Sequence, residues 1–303
     1  MLRQLVVNAD DLGLTIGVND GIFDAHDLGI LTSASLFANA PATDDAIRRA
    51  RWHRSLGVGA HLTLVDGAPI LHSRQVPSLV TGDGRFRRSW KPFIVACLRG
   101  RVSLREVELE LTAQIERLQK SGVALTHLDA HKHVHAYPPI FAIVARLAVR
   151  FGIPVVRVPY ERSTPLLTRS GGPWARLKPD TAPVQALLNA AMWPWARTAY
   201  RIAASLGLRT PMFIGRIHTG VLTRSSLHSL LRGVGPGVTE LMVHPGYCDE
   251  ALARTGTRLL DSRQEELALL CSMATRAVLV AERLNPVRHD LAHSPRRSLR
   301  HVS

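Results

Sequence analysis

The rare polar residues of this chain fall at the ends of its apolar, β-rich runs, and that placement restricts the fold more than any other feature. Strand-like runs at residues 3–8, 31–38, 57–64, 123–129, 154–159, 212–217 and 238–244 alternate with longer helical patterns. Such alternation specifies βα units on a mostly parallel sheet. Seven strands favour a barrel over an open sheet. In a β/α barrel the carboxyl ends of all strands share one face, so residues far apart in sequence meet there. Asn8, Asp10 and Asp11 end the first run, His61 lies in the third, Asp129 and His131 end the fourth, and His244 ends the last.

Helical patterns occupy residues 44–52, 104–120 and 140–151. A last helix, opened by a capping-box pattern of Ser262 and Glu265, is expected to run to about Leu284. Two long inserts, 65–103 and 161–211, interrupt the rhythm, and loops of that length are usually functional covers. With 303 residues, 46% hydrophobic and 20% charged, the chain can bury one full core. The expectation is a single domain over 1–285 carrying an insert at about 161–211, followed by a polar, basic, disordered tail at 286–303.

Cys97, Cys248 and Cys271 are too few and too scattered for a disulfide framework, which points to a reducing compartment. The start of the chain lacks the apolar segment of a secretory signal, and no apolar stretch approaches the ~18 residues of a spanning helix. A cytoplasmic protein, at most peripheral at the inner face of the membrane, is expected. The net charge of +14 is concentrated between Arg146 and Thr239, where 13 Lys or Arg face only Glu161 and Asp180. That excess is either an ordinary arginine-rich surface or an attraction to anionic lipid or a phosphate-bearing partner. No nucleic-acid-binding motif is present. The oligomeric state is open, a homodimer included.

Adjacent carboxylates such as Asp10 and Asp11 repel unless a cation or a proton lies between them. A hydrolytic zinc site takes three imidazole or carboxylate ligands and keeps one position open. Asp11, His61 and His131 supply such a set for one divalent ion; the mixed donors favour zinc, with magnesium or manganese as alternatives. In the segment HLDAHKHVH, Pro138 and Pro139 argue against a helix carrying His131 and His135, and place both in the loop after the strand. Asp129 then stands behind the ligands, able to orient an imidazole N–H, while His133 and His135 line or support the site. Asp10 suits a general base and His244 a general acid in amide hydrolysis. Arg157 and Tyr247 are candidate substrate contacts, since a guanidinium and a phenol can both hydrogen-bond hydroxyl groups; Arg157 serves equally well as the partner of a structural acid.

Five motifs, NADDLG at 8–13, LTSAS at 31–35, GVGAHLTL at 57–64, THLDAHKHVH at 126–135 and MVHPGY at 242–247, together resemble the YdjC-like carbohydrate deacetylases, a family that includes chitooligosaccharide deacetylase. The resemblance is nearly chain-long. It implies a deformed TIM-like (β/α) barrel, Asp11, His61 and His131 as metal ligands, Asp10 as base, His244 as acid, and an N-acetylated amino sugar as substrate. Residues 62–71 and 76–87 resemble the branch associated with hopanoid biosynthesis, which implies an N-acetylglucosaminyl glycolipid. The stretch 187–209, with Trp193, Trp195, Tyr200, Arg197, Arg201 and Arg209, is either an interfacial segment touching anionic membrane or an amphipathic helix packed on the barrel. Competing readings are another metal-dependent hydrolase, acting on a phosphoester or cyclic amide, and a non-enzymatic binder of anionic lipid or nucleic acid.

Overall fold

A computed structural model describes residues 2–161 and 189–292; expectations that fall on 162–188 or 293–303 lie outside the described residues. One sheet of parallel strands contains β1 (Arg3–Leu12), β2 (Ser33–Leu36), β3 (Gly57–Leu62), β4 (Leu125–Ala130), β5 (Met212–Ile214), β6 (Gly237–Val243) and β7 (Asn285–Pro286). Its order is β4-β3-β2-β1-β6-β5, with β7 paired to the start of β1. The strand expected at 154–159 is absent as a regular element. Pro154 and Pro159 lack the N–H that a ladder requires, and the segment is held by isolated bridges, Leu128 to Val156 on the β4 side and Glu161 to Phe213 on the β5 side. It thereby fills the gap between the two sheet ends, and the barrel is deformed at that point.

Alternation along β1 sorts its side chains. Leu5, Val7 and Ala9 join the apolar core, whereas Asn8 and Asp10 turn inward and are buried with Ser35, His127 and Asp129. The inside of the barrel is therefore polar. Gly59 makes room for it: a Cβ added there would meet the His127 ring at 2.5 Å.

The outer layer consists of α1 (Ile16–Asp27), α2 (Thr43–Ala50), α3 (Trp90–Leu98), α4 (Leu104–Lys120), α5 (Pro138–Arg150), α6 (Trp193–Ser205), α7 (Arg224–Arg232), α8 (Glu250–Arg254), α9 (Asp261–Cys271) and α10 (Met273–Ala281). The single last helix expected from sequence is two. Ser272 is extended and caps α10 by accepting from Ala274 N–H, and α9 opens after Leu260 without a side-chain cap, so Ser262 forms no capping box. Part of the stretch 187–209 is α6, which buries Ala196, Ala199 and Ala203. No helix of the described residues is long and apolar enough to cross a membrane.

Residues 286–292, expected to belong to a disordered tail, are packed on the barrel. Asn285 and Pro286 pair with Gln4 and Leu5, Val287 N–H donates to the Leu5 carbonyl, and His289 and Ala292 are buried.

Candidate active site

A bulge at the end of β1 builds the site. The pairing of β1 with β2 shifts register between Ala9 and Leu12, and Asp11 has φ +72°. Neighbouring residues of a regular strand point to opposite faces; the bulge re-aims one of them, and Asp10 and Asp11 are both buried in the same polar cluster. Among non-glycine residues Asp and Asn best tolerate this left-handed conformation.

Asp11 Oδ1 lies 3.5 Å from His61 Nε2 and 3.2 Å from His131 Nδ1. One ligand atom from each of the three residues falls within 4.8 Å of the others. Two neighbours fix the orientation. Asp129 Oδ1 accepts from His61 Nδ1 at 2.7 Å, which leaves Nε2 facing Asp11. Arg263 on α9 donates to Asp11 Oδ2 at 2.6 Å, which leaves Oδ1 for the centre. His131 keeps 17% of its side chain exposed against 1% for His61, so the open side of the set faces the barrel mouth. His131 itself starts a tight 3-10 turn, His131–Ala136, in which Lys132 and His133 are left-handed; the expected loop is this turn, and α5 follows at Pro138.

The donor set fits a divalent cation. Four buried carboxylates, Asp10, Asp11, Asp129 and Glu240, face two buried guanidinium groups, Arg157 and Arg263, leaving two negative charges, which the protonated His61 offsets only in part while no cation is bound. A second cluster, Asp10, His61 and Asp129, has ligand-like spacing, but Arg157 is already paired with both of its carboxylates and would repel a cation there. The titration pattern agrees. Burial disfavours the charged form of His61, yet Asp129 together with Asp11 outweighs it and pushes the imidazole up to about 10. Burial would raise Asp11 too, but Arg263 and the two histidines hold it well below the usual carboxylate range.

Asp10 is bound at both oxygens by Arg157, at 2.8 and 2.7 Å. Against the effect of burial, that guanidinium keeps the carboxyl far below its ordinary value. Asn8 Nδ2 donates to Asp10 Oδ1 at 3.0 Å and to Ser35 Oγ at 2.9 Å, and Ser35 donates to Asp129 Oδ2 at 2.7 Å. Asp10 and His61 are thus tied into one buried network through Asn8, Ser35 and Asp129.

His244 follows β6; its N–H donates to Glu266 Oε2 at 2.6 Å. Burial drives its imidazole down to about 4 despite the nearby Asp11 and Asp10, and drives the Glu266 carboxyl up to about 7. His135 donates from Nε2 to the Arg157 carbonyl at 2.9 Å and so supports the segment that carries Arg157. His133 sets its ring edge against Phe213, with ring centroids 5.8 Å apart.

Of the two expected substrate contacts, Arg157 is corrected and Tyr247 has its hydroxyl engaged within the chain. Arg157 is 1% exposed and spends its nitrogens on Asp10, Asp129 and Glu240; it is the partner of buried acids, with no donor left for a sugar. Tyr247 donates its hydroxyl to Asp24 at 2.6 Å, near the C-terminal end of α1. Its backbone N–H donates to the Gly17 carbonyl in the first turn of α1, so the residue itself belongs to the loop that follows β6. Arg263, Glu240, Glu266 and Ser35 were not singled out from sequence. Ser35 closes the LTSAS motif at 31–35, while the others sit in the middle of apolar or helical patterns, where a buried charge looks like a surface one.

Fold and site together define a (β/α)-barrel protein with a candidate divalent-cation centre at the carboxyl end of its strands. The chain belongs to the YdjC-like protein family, which it matches over residues 4–281. It is 36% identical to a carbohydrate deacetylase of Brevibacillus brevis over 88% of this chain and 90% of the relative. It is 35% identical to a carbohydrate deacetylase of Geobacillus stearothermophilus over 93% of each. A crystal structure from Enterococcus faecalis, of a protein named for cellobiose-phosphate cleavage, superimposes with a TM-score of 0.76 at 25% identity, covering 97% of this chain and all of that one.

Proposed function

We propose that this chain hydrolyses the N-acetyl group of an amino sugar, with Asp11, His61 and His131 holding one divalent cation, Asp10 as general base and His244 as general acid. The observation that carries the reading is the convergence of Asp11 Oδ1, His61 Nε2 and His131 Nδ1 at the open end of the barrel. Relatives named carbohydrate deacetylases, matched over most of the chain, support the substrate class. A divalent cation bound there supplies a Lewis acid that polarises the amide carbonyl and acidifies water; the mixed nitrogen and oxygen donors favour zinc.

The chain's own groups do the proton work. Asp10 is ionised throughout the working range because Arg157 holds it so, which is the form that can take a proton from the attacking water. His244 is neutral at pH 7; the proton that Asp10 takes from water is relayed through it to the departing nitrogen as the C–N bond breaks, releasing acetate and a free amine.

The finer reading is a glycolipid substrate of the N-acetylglucosaminyl, hopanoid type. It is supported by the resemblance of residues 62–71 and 76–87 to that branch and by α6, which exposes Trp193, Arg197 and Arg201, side chains suited to an anionic membrane surface.

Acetate release from N-acetylglucosamine oligomers, an N-acetylglucosaminyl lipid and a phosphoester control tests these readings, using metal-loaded wild type beside Asp10→Asn and His131→Ala. The expected result is acetate from a sugar substrate, reduced about 10²- to 10⁴-fold in Asp10→Asn. Turnover of the phosphoester alone would replace the deacetylase with a phosphoesterase.

A further inference from the structure

The closed end of the barrel is stoppered by the chain's own C-terminal segment. β7 pairs with the first residues of β1, Arg209 reaches the carbonyls of Asp290 and Ala292, and Val6, Val238 and Ala292 pack together below the polar interior. Gly57 opens the space, since a Cβ there would meet Ser33 Oγ at 2.8 Å and Arg288 at 3.2 Å. Through this opening comes His289, 1% exposed, its ring 4.0 Å from that of His127.

An imidazole so deep in a fold normally spends both nitrogens on partners. Neither nitrogen of His289 has a hydrogen-bond partner, and nor does Glu240 Oε2. His289 Nε2 instead faces Glu240 Oε1 at 3.7 Å. Glu240 Oε1 accepts from Arg157 Nε at 2.7 Å, and Arg157 grips Asp10 at both oxygens. A line of polar side chains therefore runs the depth of the barrel, from His289 through Glu240 and Arg157 to the proposed base. Glu240 is shared: whatever fixes its carboxylate fixes the Nε edge of Arg157, and the rigid guanidinium plane transmits that orientation to Asp10.

We propose that His289 is a positioning residue for Asp10, acting through Glu240 and Arg157, so that the C-terminal segment is part of the catalytic scaffold. The consequence for turnover rests on the deacetylase reading above; the structural link does not. Two readouts separate them. The first is hydrogen exchange of the Arg157 Nε–H, followed by nitrogen-15 NMR in metal-loaded wild type, His289→Ala and His289→Gln. The second is kcat and KM for acetate release by the same three proteins, with melting temperatures measured alongside.

The expected result is faster exchange at Arg157 in His289→Ala, a kcat lowered about tenfold with KM unchanged, as for other residues that orient a reacting group from behind, and recovery of both in His289→Gln, which keeps a donor towards Glu240. Arg157 exchange that is the same in all three proteins overturns the proposal. So does a loss confined to melting temperature, which would make His289 a packing stopper and nothing more. Exchange that responds in a wild type releasing no acetate removes the deacetylase reading and retains the link.

Discussion

His61 donates from Nδ1 to Asp129 at 2.7 Å, and that single bond decides which edge of the ring faces Asp11. A histidine at the end of a strand can present either nitrogen; here the carboxylate behind it fixes the tautomer and leaves Nε2 as the donor to a cation.

Replacing Asp129 by Asn keeps the size and removes the charge that holds the tautomer. Cation affinity is expected to fall about 10- to 100-fold, measured by competition with a chromophoric chelator. Unchanged affinity would mean that His61 is oriented by packing alone.

His61 also sets a pH dependence. In the cation-free protein it keeps its proton to about pH 10, whereas the unfolded chain loses it near 6.5. The folded state thus binds more protons between those values, so this contribution to stability is full below pH 6.5 and is lost as pH rises towards 10. A divalent cation needs the deprotonated ring. The rise in melting temperature on adding zinc should therefore be larger at pH 9 than at pH 6; a rise independent of pH would exclude His61 as a ligand.

Arg157 is the counter-charge for three buried carboxylates. Arg157→Ala should cost about 3–5 kcal/mol in denaturant unfolding, because buried charges are left without a partner. Arg157→Lys should recover only part of that loss, lacking the planar fork that spans two carboxylates. A loss below about 1 kcal/mol in the alanine variant would show that water reaches the carboxylates.

At Gly59 the limiting factor is space. Gly59→Ala forces a methyl against the His127 ring and is expected to destabilise the fold by about 1–3 kcal/mol, read by thermal or urea unfolding. A neutral result would mean that the polar interior repacks freely.

Tyr247→Phe removes a hydroxyl whose partner is Asp24 on α1. Turnover and KM should stay within about twofold of wild type, with stability changed by about 1 kcal/mol or less. A large rise in KM would place the ring at the sugar after all.

Much of the site was legible because strand periodicity converts sequence position into place. Asp10, Asp11, His61, Asp129, His131 and His244 each end, or lie in, an apolar run, and a parallel barrel gathers such ends on one face. Residues 154–159 have the apolar composition of a strand, but two prolines deny them a ladder. β7 has only two residues, Asn285 and Pro286, and so carries no period to detect.

By itself the sequence determined the barrel class, the face on which the site lies and the donor types available to a cation, since these follow from local patterns that repeat every two or every 3.6 residues. Only the tertiary structure decided which charges compensate which. Arg157 meets Asp10 across 147 positions and Arg263 meets Asp11 across 252, and His289 reaches Glu240 from the far end of the chain. Electrostatic energy depends on separation in space and on burial, and neither quantity is written along the chain.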